Sequence, residues 1–455
     1  MTYEEYLASF LTITREPTLD VTKFFMQRLN NPHQKFKSVH VAGTNGKGSV
    51  VETLYSILQV GGYKVGKFIS PYLIEFNEYI SINGTNITDE EINEYIEILK
   101  PLVNEYQDKY GKDAVKHWDI LTSMAYMHFS KHRVDIAIIE VGMGGTWDST
   151  NVITPLVSVI TKIHFDHKEV LGNTIREIAA NKAGIIKHTV PVVTGNHKTA
   201  LTVIEERARA MNSPIIRVLS KDATAKNFRH NQPMTIRYKG KEYHIKLKGR
   251  HQAVNTALAL EALFILENMG FPIGKEKIDA GLLNVSHPAR FEVISDKPIV
   301  IFDGAHNADS LRGFMELIRD YYKLKPKNKL FIIAMLERKD PDEAMAELAK
   351  RLPRNSTIVF TCGVNVTHEK DSGTQNDSSR EFHSAQTLQQ SYLKFDKKHK
   401  QTGNGTSERR GHSTTKCMDF CDILGLVTKN HFPETCIFII GSFKTYKTTK
   451  EVLCR

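Results

Sequence analysis

The first 361 residues of this 455-residue chain contain no cysteine; all five (Cys362, Cys417, Cys421, Cys436 and Cys454) fall in the last fifth. A long chain with so few thiols is not a disulfide scaffold. Cys417 and Cys421, with His412 and His431 nearby, do not have a usual zinc-ligand spacing, so they read as ordinary thiols. No run approaches the roughly 18 consecutive apolar residues of a membrane span. The opening MTYEEYLASFLTITREP lacks the basic-then-apolar order of a secretory signal. No membrane partner is expected, and the expected location is the cytoplasm. Basic residues form no stripe interleaved with aromatics, so nucleic acid is not an expected partner. No internal repeat is visible. What is present is ordinary for a globular protein, 41% hydrophobic and 25% charged, and long enough for two or three domains. The net charge of +10 suits anionic partners.

Through residue 270 strands and helices alternate. SVHVA (38–42) is a short apolar run, followed by a glycine-rich loop. Val50, Val51, Leu54, Ile57 and Leu58 then recur at helical spacing, with Gly61-Gly62 closing the helix. KVGKFIS (64–70), DIAIIEVG (135–142), LVSVITKI (156–163) and VPVVTG (190–195) read as strands, the middle two apolar enough to be covered on both faces. HQAVNTALALEALFILENMG (251–270) is a long helix ending on a glycine. This alternation predicts an α/β fold with a doubly wound, mostly parallel sheet in a first domain, 1–290. His287-Pro288 and Asp296-Lys297-Pro298 mark a boundary. A smaller Rossmann-like α/β domain, 297–455, follows, with strands at 298–305, 329–336, 356–362 and 436–442 and helices at 310–322 and 342–352. Between Thr367 and Lys416 only Phe382, Ala385, Leu388, Tyr392, Leu393 and Phe395 are apolar. That composition predicts a loop or disordered insert, within an atypical segment at about 364–435.

The loop Val41-Ala-Gly-Thr-Asn-Gly-Lys-Gly-Ser-Val50 sits between a strand and a helix, where backbone amides and the helix dipole converge on an anion. Its spacing is not that of the common P-loop: position 41 is valine, and Gly48 separates Lys47 from Ser49. Gly43, Gly46 and Gly48 let the backbone approach phosphate oxygens, with Thr44 and Asn45 between them; Lys47 supplies a point charge and Ser49 a hydroxyl. A ligand-free glycine turn is the plainer alternative. Three more strand ends carry polar groups: Ser70 before Pro71, Glu140, and His167 in His-Phe-Asp-His. Ligands of open parallel sheets bind beyond the carboxyl ends of the strands. A hydroxyl, a carboxylate and an imidazole around a triphosphate suit Mg²⁺.

HVAGTNGKGSV (40–50), ISPYLIEFNEYISING (69–84), IIEVGMGGTWDSTNVITP (138–155), DHKEVLGNTIREIAANKAGIIK (166–187), LKGRHQAVNTALA (247–259), HPARFEVI (287–294) and DGAHNADS (303–310) together resemble, in order, the folylpolyglutamate synthases and bifunctional dihydrofolate synthases of the Mur ligase superfamily. The resemblance covers about residues 1–350. It implies an N-terminal P-loop-type ATPase domain and a C-terminal glutamate-ligase domain, hinged near residue 290 and closing over ATP. It implies that Gly43 to Ser49 hold the ATP phosphates and that Ser70, Glu140 and His167 hold magnesium. Lys182 matches a lysine that the family carbamylates as ligand to a second magnesium. Asn255 and Arg290 would contact nucleotide, Asp303 would line the nucleotide cleft, and His306, Asn307 and Ser442 would meet substrate; Lys47, His167, Lys182, Asp303 and His306 form the catalytic set. The implied reaction is ATP-dependent addition of L-glutamate to reduced folate through an acyl phosphate, with dihydropteroate as a further acceptor to be tested. A monomer is implied. The sequence departs from the family pattern at Tyr79, where an arginine is usual, at Ala308, where a proline is usual, and at Lys444, where an aromatic is usual. The alternatives are a Mur-type ligase for another acceptor, or a nucleotide-binding protein inactive through its altered C-terminal region.

Overall fold

Val39, Val41, Ala137, Ile138, Ile139, Val157 and Val159 are completely buried. Each larger one contributes about 1.5–3 kcal/mol by leaving water. Strands buried on both faces belong inside a parallel sheet covered by helices, and the computed structural model has that arrangement. It describes residues 2–10, 18–228, 232–321, 328–335, 341–353, 356–362, 383–401, 414–429 and 435–454. By their contacts these divide into two units, one of 1–226, 235–246 and 251–286, the other of 227–234, 247–250 and 287–455.

The first unit holds an eight-stranded sheet. In chain order its strands are β1 (Lys37–Ala42), β2 (Val65–Phe68), β3 (Ile80–Ile82), β4 (Thr85–Asn86), β5 (Ile136–Glu140), β6 (Val157–Ile160), β7 (Val192–Thr194) and β8 (Ile215–Arg217). Their order across the sheet is β4-β3-β2-β5-β1-β6-β7-β8. Every pairing from β2 to β8 is parallel, and the β3–β4 edge is antiparallel. The chain moves from β1 to one side and returns past it from β5 to β6, so strand order reverses at β1. A crevice opens at such a switch point. A separate sheet of β9 (Ala223–Lys226), β10 (Met234–Tyr238) and β11 (Lys241–Ile245) lay beyond the alternation read from sequence. So did two helices, Asp89–Tyr110, whose N-terminus carries a capping box between Thr88 and Glu91, and His117–Lys131.

The second unit has a six-stranded sheet of β12 (Glu292–Asp296), β13 (Ile299–Asp303), β14 (Asn328–Ala334), β15 (Ser356–Phe360), β16 (Thr414–Cys417) and β17 (Thr435–Gly441), in the order β12-β13-β17-β14-β15-β16. It is parallel except for β12 against β13.

The expectation of a structureless insert is corrected for its described residues. Ala385–Gln401 and Phe420–Thr428 are helices, and β16 joins the sheet beside β15. The few apolar residues counted over fifty positions are not dispersed: Ala385, Leu388 and Tyr392 fall at i, i+3 and i+7 and are buried. The Tyr392 ring lies 5.9 Å from that of Phe360 on β15. Phe420, Ile423, Leu424 and Val427 make a second buried stripe. Phe382, His412 and His431 lie outside the described residues. Cys417 Sγ is 3.4 Å from Gln389 Oε1, and burial raises both the Cys417 and Cys421 thiols above their ordinary value. No described helix is long and apolar enough to cross a membrane.

Candidate active site

The registers of the three central strands put Glu140 beside Val41 and Val41 beside Val159, so the glycine loop leaves β1 flush with the ends of β5 and β6. The loop is stitched to the segment after β6. The Thr44 and Asn45 amides donate to the Lys162 carbonyl at 2.9 and 3.2 Å, and Thr44 Oγ1 bonds both the carbonyl and the amide of His164. Two glycines are required here. Gly43 (φ +148°) passes so close to β6 that a Cβ would lie 1.8 Å from Thr161 Oγ1, and at Gly46 (φ +98°) a Cβ would lie 2.5 Å from Asn255 Oδ1. Gly46 caps the helix Lys47–Gly61, whose first-turn amides have no intrahelical partners.

Lys47 Nζ, on the first residue of that helix, is 3.7 Å from Glu140 Oε1, and both side chains are largely buried. Ser49 is buried, and its Oγ accepts from Gln252 Nε2 at 3.1 Å; Gln252 Oε1 accepts from Asn255 Nδ2 at 3.1 Å. Asn255 thus stands over Gly46 as part of a polar chain from the helix His251–Glu267. Gln252 is the member of this chain that sequence reasoning missed. Its only signal was its place one turn before Asn255 on the same face.

Ser70 is half-buried two residues beyond β2. Phe68 of β2 pairs with Ile139 of β5, so Ser70 and Glu140 leave adjacent strands at the same end. His167 (φ +49°) caps the short helix Lys168–Leu171, its imidazole 3.8 Å from Asp166 Oδ2 and 3.6 Å from Glu169 Oε1. Lys182, on the helix Ile175–Ala183, is buried and donates to the Gly43 carbonyl at 2.9 Å. Burial and the Lys47 charge push its amine down to about 7, against the pull of Asp166 and Asp148. Asp166 and Asp148 therefore belong to the electrostatics of the loop, although the sequence alone did not single them out.

The second unit gathers its own polar set. Asp303, the last residue of β13, accepts the Phe291 and Ala305 amides at 2.8 and 2.9 Å. Burial raises its carboxyl above the ordinary value, against the Arg290 charge and those two amides. His306 Nδ1 lies 2.8 Å from the Gly304 carbonyl; a carbonyl only accepts, so Nδ1 carries the proton. Asn307 Oδ1 accepts from the Ser310 amide at 2.9 Å. Ser442 is buried, its amide bonded to the Ala334 carbonyl at 2.9 Å. The Arg290 guanidinium lies 4.8 Å from the Phe443 ring centre, and the His306 ring is 6.3 Å from it. An aromatic thus stands one position before Lys444. Tyr79 is buried edge-on to Tyr72, Phe76 and Trp118 at 5.2, 5.2 and 6.1 Å. Its position holds an aromatic cluster rather than a cation.

Comparisons with known proteins agree with this architecture. Residues 41–263 match the Mur ligase middle domain, and residues 289–397 match the glutamate ligase domain of Mur ligases. A dihydrofolate synthase/folylpolyglutamate synthase of Bacillus subtilis is 40% identical over 319 residues, 68% of this chain and 73% of its own. The crystal structure of folylpolyglutamate synthase from Thermotoga maritima covers 99% of this chain and 96% of its own, with a TM-score of 0.76 and 28% identity. That of the Mycobacterium tuberculosis folylpolyglutamate synthase, complexed with ADP and AMPPCP, covers 99% and 97%, with a TM-score of 0.80 and 26% identity. With both Mur ligase domains matched in order and the Bacillus relative 40% identical over two thirds of the chain, the chain belongs to the folylpolyglutamate synthase/dihydrofolate synthase family of Mur ligases.

Proposed function

We propose that this chain adds L-glutamate to a reduced folate at the expense of ATP. The observation that carries the reading is the loop Gly43–Ser49, with Lys47 held 3.7 Å from buried Glu140 and Lys182 bonded beneath Gly43. A carboxylate oxygen of the folate attacks the γ-phosphorus of ATP, the bond to the bridging oxygen breaks, and ADP leaves. The glutamate amine then attacks the acyl carbonyl carbon, loses its proton, and phosphate departs with the C–O bonding pair. No covalent nucleophile of the protein is needed. Lys47 and the amides of the first turn hold the phosphates and offset the charge on the transferred group. Asn255, kept in place by Gln252, and Arg290 contact the nucleotide. Asp303 serves the nucleotide, and His306, Asn307 and Ser442 serve the substrates. With Nδ1–H donating to the Gly304 carbonyl, Nε2 is the ring nitrogen of His306 that would accept the amine proton.

The donor set fits magnesium: a buried carboxylate (Glu140), a hydroxyl (Ser70) and an imidazole (His167) leave coordination positions for water and phosphate oxygens. A magnesium ion there would neutralise phosphate charge and align the transferring group. Lys182 fits carbamylation. An amine at about 7 is substantially neutral near neutral pH, as reaction with CO₂ requires; the carbamate forms with release of one proton and would serve a second magnesium. We place the enzyme in the cytoplasm as a monomer.

The reading of an inactive binder is not favoured: the described part of its C-terminal region builds the second sheet rather than interrupting it. The test is phosphate release from ATP with Mg²⁺ and L-glutamate, tetrahydrofolate and dihydropteroate being supplied separately. Release with tetrahydrofolate, and a product one glutamate heavier by mass, is the expected result. Release with dihydropteroate as well would add the second activity of the Bacillus relative's name. ATP binding without turnover on either acceptor would overturn the proposal.

A further inference from the structure

The last turn of the helix His117–Lys131 carries His128, and His132 follows the helix, four residues on and so on one face. Glu91, in the first turn of the helix Asp89–Tyr110, stands opposite them. Its carboxylate is divided. Oε2 accepts the Thr88 amide at 3.2 Å and closes the capping box, while Oε1 lies 2.8 Å from His132 Nε2 and 3.7 Å from His128 Nδ1. The three ligand atoms all lie within 4.8 Å of one another, and among the described residues no other group of three or more His, Cys, Asp or Glu does this. The mechanism above uses none of these residues. His132 lies four residues before β5, whose far end bears Glu140, so the cluster sits at the opposite end of the strand from the phosphate loop, about 13 Å along it.

We propose that Glu91, His128 and His132 form a binding site for a borderline divalent transition cation of the Zn²⁺ class, which ties the helix Asp89–Tyr110 to the helix His117–Lys131. Two imidazoles at i and i+4 with one carboxylate are a donor set for Zn²⁺, Co²⁺, Ni²⁺ or Cu²⁺. Hard Mg²⁺ and Ca²⁺ prefer an all-oxygen shell. Bonds of about 2.0–2.2 Å to a tetrahedral ion put ligand atoms roughly 3.3–3.5 Å apart, so the Glu91–His132 pair opens by about half an ångström and the 3.7 Å pair closes slightly. Such shifts are within side-chain rotation.

The protonation states suit ligation. Burial, together with the His132, Lys131 and Lys64 charges, pushes His128 down to about 4 despite Glu91, so the imidazole is neutral near neutral pH and one of its two ring nitrogens carries no proton. The Glu91 carboxyl lies below its ordinary value: its burial is outweighed by the Thr88 amide and the two histidines. Of the nearby cations, Lys131 is paired with Glu94 at 2.7 Å. The Tyr95 hydroxyl, 3.3 Å from His128 Nδ1, adds a polar neighbour. The His132 and Glu91 side chains, 35% and 22% exposed, leave an entry path and room for water as a further ligand.

The test uses the full chain, freed of metal with a chelator and kept reduced, titrated with ZnCl₂ against a chromophoric competitor. His132→Ala is the main variant, because a half-exposed side chain can be removed without emptying the core. Zinc taken up by thiols or by the phosphate site is common to both proteins and cancels in the difference. Wild type should bind one equivalent more than His132→Ala. Glu91→Gln should weaken that equivalent about tenfold or more. Zinc should raise the melting temperature of wild type more than that of His132→Ala, and Mg²⁺-dependent turnover of the two should match. Equal zinc stoichiometry and affinity in wild type and His132→Ala, or no saturable binding by wild type, would overturn the proposal.

Discussion

Replacing Gly46 by alanine tests the loop geometry directly. The residue sits at φ +98° and ψ −3°, where an L-side chain costs about 1–2 kcal/mol. The new Cβ would meet Asn255 Oδ1 at 2.5 Å and Cγ at 3.1 Å, well inside the roughly 3.5–4 Å of ordinary contact. Asn255 cannot swing aside freely: it is buried, bonded to Gln252, and through Gln252 to Ser49. Overpacking of this kind costs about 1–3 kcal/mol, so Gly46→Ala should destabilise the first unit by about 2–5 kcal/mol. At roughly 2–4 °C per kcal/mol for a unit of this size, the melting temperature should drop by about 5–15 °C. ADP affinity, read by calorimetry, should weaken at least about tenfold, since the loop amides and Asn255 move together. Adding Asn255→Ala removes the colliding oxygen but not the backbone strain. The double mutant should therefore recover the overlap share, a coupling of about 1–3 kcal/mol in a double-mutant cycle. Gly46→Ala melting with wild type, or a double mutant whose losses simply add, would refute the assigned contact.

Two further substitutions separate charge from packing. Lys182 lies at about 7 when folded against 10.5 unfolded, so the unfolded chain holds more protons between those values and stability rises with pH across that window. Lys182→Met, compared in CO₂-free urea titrations, should be more stable than wild type by about 2–4 kcal/mol at and below neutral pH, less about 1 kcal/mol for the lost bond to Gly43. The advantage should fade as pH approaches about 10, and a difference that does not change with pH would contradict the burial argument. Glu140→Gln keeps the shape of the β5 end and removes its charge. ATP should still bind by calorimetry, while phosphate release should fall about 10²–10³-fold, and undiminished release would remove Glu140 from the proposed magnesium site.

The two α/β units and the position of the glycine-rich loop between strand and helix were legible in the sequence because each depends on local pattern. DIAIIEVG and LVSVITKI are apolar throughout, and only a strand covered on both faces has use for that. The loop's glycines mark backbone approaches that the structure places at Thr161 and Asn255. The helix Asp89–Tyr110, which the sequence reading passed over, was nonetheless written locally, in the capping box at Thr88 and Glu91 and in the i, i+3, i+4 recurrence of Ile92, Tyr95, Ile96 and Leu99. The described stretches 383–401 and 414–429 misled for a different reason. Average composition measures whether a stretch can fold by itself, whereas Ala385, Leu388 and Tyr392 need only a narrow stripe, because Phe360 and its neighbours already supply the other wall.

Long-range pairings are a different matter, and they set where the site's electrostatics were unreadable. Lys182 looks like any helical lysine until the chain brings it within 2.9 Å of the Gly43 carbonyl, 139 residues away. Its amine is displaced because burial and Lys47 act on it together, and neither cause is a property of NKAGIIK. Gln252 likewise acquires its partner 203 residues away. Glu91 and the two histidines follow the same rule: the i, i+4 spacing of His128 and His132 is visible in the sequence, but the carboxylate that completes the donor set comes from a separate helix. In each case the residue type is encoded locally and its chemistry is conferred by tertiary contact. A single change at the partner, Asn255 for Gly46 or Glu91 for His132, should therefore be felt at the residue it completes as strongly as a change there.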